Sequence, residues 1–199
     1  MDENFREHND ISYDEKKERV RMELYDWLQC IVTAIICGVL IFIFLGRTIG
    51  VDGRSMFQTL HHSDRVVISN LFYSPDNDDI IVFQSPSEQF EYPLVKRVIA
   101  KANQTVFIDF DKGDVYVDGV KEERFSGITT SRHDFEGEVT VPPGFVFVLG
   151  DNRNSSTDSR DSSVGLVDTR YILGKVLFLL IPGADENGNR DWNRFGWVD

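Results

Sequence analysis

The chain has 199 residues, 41% of them hydrophobic, and a formal net charge of −12. The length favours one domain, alone or with an appendage, and the acidic balance argues against nucleic acid as a partner. Both cysteines, Cys30 and Cys37, lie in one apolar stretch, which excludes a disulfide core, a cysteine-ligated metal site and a cysteine nucleophile from the rest of the chain. We expect no metal and no cofactor.

The N-terminal part of the sequence predicts a membrane anchor. Residues 1–13 are expected to be a frayed polar tail, and residues 14–27 a short helix leading into an uncharged apolar run over residues 28–46. At about 1.5 Å per residue, a helix of this length spans roughly 28 Å, close to the hydrocarbon thickness of a bilayer. The run is longer than a cleavable signal-peptide core and no small-residue cleavage site follows it, so we predict an uncleaved anchor rather than a buried core helix.

Basic residues flank the predicted anchor unequally. Only Arg47 and Arg54 follow it closely. Those that closely precede it are Lys16, Lys17, Arg19 and Arg21. The positive-inside rule therefore predicts that residues 1–27 are cytoplasmic and that residues 47–199 lie on the other side of the cell membrane.

Residues 47–199 are enough to bury a core, and their pattern is that of β-strands. Short segments rich in Val, Ile and Phe, bounded by Gly, Pro, Asn and Asp, predict strands. These segments are residues 64–70, 78–84, 94–100, 105–110, 114–119 and 144–150. Residues 183–194 are polar and predicted as a loop. The predicted fold is mostly β, a coiled antiparallel sheet or barrel-like domain preceded by a single transmembrane helix.

The predicted strand over residues 94–100 carries a lysine in an unusual setting. Side chains alternate across a strand, so Leu94, Lys96 and Val98 share one face while Val95 and Arg97 share the other. A lysine between two apolar neighbours is either on a solvated face or buried, and burial lowers its pKa. A depression of roughly three units makes a lysine a base near neutral pH. The strand by itself leaves both possibilities open, and a surface lysine is the commoner case.

The stretch over residues 149–160 follows a predicted strand directly and is dense in small polar and charged residues. Loops at strand ends often carry function. The charged residues that can form ion pairs there are Asp151, Arg153, Asp158 and Arg160. The hydroxyl-bearing residues are Ser155, Ser156 and Ser159. The alternative is a solvated turn whose surface ion pairs contribute little to stability.

Ser55 follows the predicted anchor closely. If Ser55 is a nucleophile, another group must take its proton. A Ser–His–Asp triad needs a histidine that a carboxylate fixes in place. His61 and His62 follow Ser55 but fall in a predicted turn, where both side chains are expected in water. His133 also falls in a predicted loop, so the sequence favours none of these histidines as the base.

Three stretches together resemble the bacterial type I signal peptidases, which are membrane-anchored Ser–Lys proteases. Residues 55–60, SMFQTL, are similar to the family motif S-M-x-P-T-L, and residues 96–100 match K-R-V-I-A in full. Residues 150–160 match G-D-N-R-x-x-S-x-D-S-R. The resemblance extends from residue 27 to the C-terminus, with the span and the motifs in the family's order.

The resemblance implies roles for individual residues. Ser55 would be the nucleophile and would bind the oxyanion through its backbone N–H, and neutral Lys96 would be the general base. Ser156 would orient the lysine amine by a hydrogen bond, and His61 and His62 would be bystanders. Two ion pairs would brace the strand and the loop that hold the dyad, Arg97 with Asp151 and Asp158 with Arg160.

The resemblance also implies the substrate, which is the signal peptide of an exported preprotein at the surface of a lipid bilayer. The peptide would add as a strand near Ile49, Val51, Gly53 and Met56, with small residues at positions −3 and −1. Two residues depart from the family pattern. Gln58 replaces the usual proline, which predicts a less rigid bend, and Gly53 lacks the serine hydroxyl that helps to bind the oxyanion in some members.

Two other functions stay open at this point. A self-cleaving repressor-type Ser–Lys protease has a similar β domain, but it carries a soluble DNA-binding N-terminus instead of a membrane span. An inactive anchored β module that binds exported peptides is supported only by Gln58 and Gly53.

Overall fold

The computed structural model describes residues 3–45, 47–185 and 188–198, with the side chains of residues 18–40, 47–185 and 188–198. The chain divides into two compact units between residues 44 and 45. The first unit is a single helix, α1 (Glu3–Leu45), and the second contains all the described strands.

Helix α1 runs further towards the N-terminus than the sequence predicted. Residues 3–13 are helical rather than frayed, because neither glycine nor proline interrupts the chain before Gly38. The segment Glu18–Leu40 is long and apolar enough to cross a membrane, with a mean hydropathy of 1.5. Every side chain over residues 18–40 is exposed. The last part of the predicted span, residues 41–46, lies outside the described side chains.

The second unit consists of antiparallel strands joined by turns and loops. In chain order they are β1 (Arg47–Gly50), β2 (Arg65–Ser69), β3 (Ile80–Phe83), β4 (Leu94–Ala100), β5 (Thr105–Asp109), β6 (Asp114–Val117), β7 (Val120–Lys121), β8 (Glu138–Thr140), β9 (Phe145–Leu149), β10 (Val167–Asp168), β11 (Ile172–Ile181) and β12 (Gly196–Trp197). Two 3-10 turns, Thr169–Tyr171 and Trp192–Arg194, precede β11 and β12. All six predicted strands are present. The strands that the sequence pattern did not predict are β1, β7, β8, β10, β11 and β12, of which β11 is the longest described strand.

The strands form two sheets. The larger has the order β1-β2-β11-β3-β4-β9-β10, with β12 also paired to β11, and the smaller has the order β7-β6-β5-β8. Register shifts occur where β11 pairs with β2 and with β3, and where β4 pairs with β9. Such bulges bend strands and increase their twist, so the larger sheet curls into a half-barrel. Strand β1 forms one edge of this sheet.

Three apolar clusters fill the interior, and one of them fixes the segment that follows β1. Val66, Ile68 and Val176 belong to this first cluster, together with Met56 and Leu60 from the loop between β1 and β2. Met56 and Leu60 are 1% and 0% exposed, so the loop is anchored at two points one helical turn apart. The loop is therefore positioned by core packing.

Candidate active site

Ser55 lies in a tight turn that follows β1, with its side chain half-buried. The turn is closed by hydrogen bonds from the N–H of Phe57 to the Arg54 carbonyl (3.1 Å) and from the N–H of Leu60 to the Met56 carbonyl (2.9 Å). Asn152 also stabilises this turn through two hydrogen bonds. Its N–H donates to the Ser55 carbonyl at 3.0 Å and its side-chain amide donates to the Arg54 carbonyl at 3.1 Å.

Lys96 reaches Ser55 from the middle of β4. Its Nζ lies 2.7 Å from Ser55 Oγ and 3.1 Å from the Val95 carbonyl oxygen, and the residue is 3% exposed. The possibility of a solvated surface lysine is therefore wrong. Burial lowers the pKa of Lys96 to about 8, against the opposing attraction of the Asp158 and Asp151 carboxylates. An amine with this pKa is substantially neutral near pH 8.

Ser156 does not make the hydrogen bond that the resemblance implied. The Lys96 amine bonds to the Val95 carbonyl and to Ser55, and the buried Ser156 hydroxyl has no hydrogen-bond partner among the described residues. Ser156 nevertheless lies close to Ser55. A β-carbon at Gly150 would overlap the Ser156 hydroxyl and would lie 2.5 Å from the Ser55 carbonyl oxygen, so only glycine fits between these two serines.

The two predicted ion pairs are both present and both buried. Arg97 donates to Asp151 through Nε and Nη2, each at 2.8 Å, and Arg160 donates to Asp158 in the same bidentate way at 2.8 Å. Asp158 also accepts the Gly150 N–H at 3.0 Å. Because each pair is fully desolvated, removing one partner leaves a buried unpaired charge, at a cost of about 3–5 kcal/mol.

Thr59 connects the turn that carries Ser55 to one of these ion pairs. Its hydroxyl donates to Asp151 Oδ2 at 2.5 Å, and Arg97 Nη2 lies 3.4 Å from the same hydroxyl. The turn that carries Ser55 and the strand that carries Lys96 therefore contact the same carboxylate. No role was predicted for Thr59 or Asn152 from the sequence, although both lie within the quoted motifs.

The histidines contact neighbours other than Ser55. His62 Nδ1 lies 3.2 Å from the Gly53 N–H and 3.0 Å from an Asp52 carboxylate oxygen, and the His61 ring stacks on Phe57. Within the described residues, the only hydrogen bond at Ser55 Oγ joins it to Lys96. The same residues contain no cluster of His, Cys, Asp and Glu able to hold a metal ion.

The residues named for substrate binding do not all face solvent. Val51 and Met56 are 5% and 1% exposed and belong to the first core cluster, so their side chains are not available to a peptide. Both backbone groups of Val51 are also used, because its N–H donates to Asp64 and its carbonyl accepts from Ser63. Ile49 is half-buried on the edge strand and Gly53 is exposed.

Gln58 adopts a backbone conformation that its family counterpart cannot adopt. Its φ angle is +105°, in a region that L-residues rarely occupy, whereas proline is fixed near −65°. That the bend is less rigid than in the family stays a prediction. The turn after Ser55 has a different backbone, and its surroundings must hold it in place.

Comparisons with known proteins identify the family of the chain. Residues 24–181 match the family model described as signal peptidase, peptidase S26. A signal peptidase I of Bacillus licheniformis is 31% identical over 182 residues, which cover 85% of this chain and 95% of the relative. Signal peptidase I T of Bacillus subtilis is 32% identical over 183 residues, covering 84% and 91%. A crystal structure of a signal peptidase I from Enterococcus faecalis is 28% identical, with a TM-score of 0.41, and covers 52% of this chain and 97% of that chain.

The chain is therefore a serine endopeptidase, a hydrolase of peptide bonds. More particularly, it belongs to the signal peptidase family, peptidase S26, whose members remove signal peptides from exported preproteins. The prediction of an enzyme is thus confirmed, and the alternative of an inactive peptide-binding module is wrong.

Proposed function

We propose that this chain cleaves signal peptides by a Ser–Lys dyad, with Ser55 as nucleophile and Lys96 as general base. The observation that carries the proposal is the 2.7 Å contact between Lys96 Nζ and Ser55 Oγ at an amine that is 3% exposed. This distance is within direct proton-transfer reach, and burial disfavours the ammonium form. No described histidine has an equivalent contact with Ser55 Oγ.

The reaction proceeds through an acyl-enzyme. Ser55 Oγ attacks the scissile carbonyl carbon while its proton moves to Lys96 Nζ, and the tetrahedral intermediate expels the new amine with that proton. Water then attacks the ester carbonyl carbon and gives a proton to Lys96, and that proton passes to Ser55 Oγ as the signal peptide leaves as a carboxylic acid. The buried ion pairs at Asp151 and Asp158 are positioning groups that hold β4 and the loop after β9 in register.

The oxyanion is stabilised by the backbone N–H of Ser55. This N–H makes no hydrogen bond to another described residue, whereas the Ser55 carbonyl is fixed by Asn152. A preorganised donor aimed at developing negative charge contributes roughly 3–4 kcal/mol to catalysis in other proteases. Gly53 offers no side-chain donor, so the Ser55 N–H carries most of this role.

The substrate binds as an extended strand against β1. Strand β1 ends the larger sheet, and no described strand pairs with its outer side, so its free backbone groups are available to a peptide. Ile49 and Gly53 are the two residues of the earlier set that stay accessible. Because both backbone groups of Val51 are hydrogen-bonded within the chain, the peptide pairs only with β1.

Cleavage is expected after small residues at positions −3 and −1, since shallow pockets reject larger side chains by overpacking. A preprotein with alanine at both positions should be cut at that site, and phenylalanine at −1 should slow cleavage about tenfold to a hundredfold. The measurement is single-site cleavage by the detergent-solubilised full chain, followed by mass spectrometry of the products. Phenylalanine at −2 is the matched control, and equal cleavage of the −1 and −2 variants would contradict the specificity.

The basic residues that precede the span support a catalytic domain, residues 47–199, that lies outside the cytoplasm. A cysteine introduced at the exposed Val120 should react with a membrane-impermeant maleimide in intact cells, whereas Cys30 and Cys37 in the apolar helix should not. Labelling at residue 120 that needs permeabilised cells would reverse the orientation.

A further inference from the structure

We infer that Arg194 is a positioning residue for the nucleophile turn, which is the turn over residues 54–60 that carries Ser55. It acts from the C-terminal segment together with Asp64. Arg194 Nη1 and Nη2 donate to the two carboxylate oxygens of Asp64 at 3.0 and 2.6 Å. Nη2 also lies 3.2 Å from the carbonyl oxygen of Thr59, four residues after Ser55. One guanidinium therefore joins the end of the nucleophile turn to the start of β2.

Asp64 is the buried acceptor that these contacts share. It is 0% exposed, and besides Arg194 it accepts the N–H of His61 at 2.7 Å and the N–H of Gly183 at 2.6 Å. Gly183 has no room for a β-carbon, because one there would overlap the His62 carbonyl. The segment after β11 is therefore packed directly on the loop between Ser55 and β2. The Arg194 side chain is only 18% exposed, so the ion pair is largely shielded from water.

The nucleophile turn needs external support because its own backbone is strained. Gln58 sits at φ +105°, a conformation that persists only where surrounding contacts impose it. Thr59, the next residue, is bound on both sides: its hydroxyl contacts Asp151 and its carbonyl contacts Arg194. Asp151 and Arg194 thus hold the turn through two different groups of Thr59.

This inference rests on the proposed nucleophile, Ser55. Arg194 has no described contact with Ser55 or Lys96, so its loss should let the turn relax without removing a reacting group. A displacement near 1 Å can cost about a hundredfold in rate. Because Asp151 still holds Thr59, we expect Arg194→Ala to lower kcat about tenfold and to change KM less than twofold.

The experiment measures kcat and KM for the full chain in detergent, with the thermal midpoint as a check of folding. Arg194→Lys keeps the charge beside Asp64 but has no planar fork to reach Thr59 as well, so it should also lower kcat several-fold. Arg170→Ala is the matched control, since Arg170 is exposed and, among the described residues, pairs only with Asp168. Guanidinium ion, added far below denaturing concentrations, should restore much of the Arg194→Ala activity, whereas equal sodium chloride should not.

The possible outcomes separate this role from the others. Unchanged kcat in both Arg194 variants, or a loss that only tracks the folded fraction and is not rescued by guanidinium, overturns the inference. If Arg194→Lys equals the parent chain, charge neutralisation of Asp64 suffices and the inferred bridge to Thr59 is wrong. Full activity of Ser55→Ala would instead overturn the proposed dyad, so failure of the dyad and failure of the Arg194 role give different results.

Discussion

Replacing Ser55 with alanine, or Lys96 with alanine, is expected to abolish preprotein cleavage while the fold is retained. Each change removes one of the two groups that exchange the proton, and losses on the order of 10⁴-fold or more are typical when a member of such a catalytic unit is removed. The measurement is the rate of signal-peptide release by the full chain under single-turnover conditions, with circular dichroism as the check on folding.

Two control variants make this test specific. Lys101→Ala removes an exposed lysine that pairs with Asp76, and it should leave the rate unchanged. The double change His61→Ala with His62→Ala should also have little effect, since neither ring is bonded to Ser55 Oγ. Substantial cleavage by Lys96→Ala would rule out the dyad, and a loss of about a thousandfold in the double histidine variant would transfer the role of base to a histidine.

The pH dependence of cleavage is expected to follow the titration of Lys96. Burial lowers the pKa of this amine to about 8, and only the neutral amine can accept the Ser55 proton. The value of kcat/KM should therefore rise with pH, level off above about 8, and fall about tenfold for each unit below that point. A profile that is flat between pH 6 and pH 9, measured on enzyme shown to be stable over that range, would contradict the assignment.

The same lowered pKa has a consequence for stability, and its sign is opposite to that of a lysine in a salt bridge. Between about pH 8 and 10.5 the unfolded chain binds a proton at Lys96 that the folded chain does not, so stability rises with pH in this window. Below pH 8 both states bind the proton, so the cost of burying the charged amine lowers the unfolding free energy by its full amount. The difference in unfolding free energy between Lys96→Met and the parent chain in detergent should therefore shift by up to about 3 kcal/mol from pH 7 to pH 10.5. A difference that does not change with pH would show that Lys96 titrates normally.

Much of the strand structure was predictable because its signals are local. β4, β5 and β9 are short, rich in Val, Ile and Phe, and bounded by turn residues, and the structure has them within a residue of the prediction. β11 was missed because its apolar stretch LFLLI is continuous, and periodicity cannot distinguish such a run from a helical segment. The shortness of this five-residue stretch, which is bounded by Pro182, was the available signal for a strand.

The candidate site was less predictable because its contacts join distant parts of the chain. The resemblance named Ser55 and Lys96, but whether Lys96 is buried depends on the packing of a turn 41 residues away. The resemblance implied a hydrogen bond between Ser156 and the Lys96 amine. In the structure the amine bonds to the Val95 carbonyl instead. Asp64 and Arg194 are 130 residues apart, and no sequence signal connects them.

The most direct test of the central claim is the titration of the Lys96 amine itself. Carbon-13 labelling at the lysine ε-position, with the Lys96 resonance assigned by its loss in Lys96→Arg, reports the protonation of this group in the full chain. We expect a midpoint near pH 8, coincident with the midpoint of kcat/KM. An amine that remains cationic to above pH 10, in an enzyme that is fully active at pH 8, would contradict the proposal that neutral Lys96 activates Ser55.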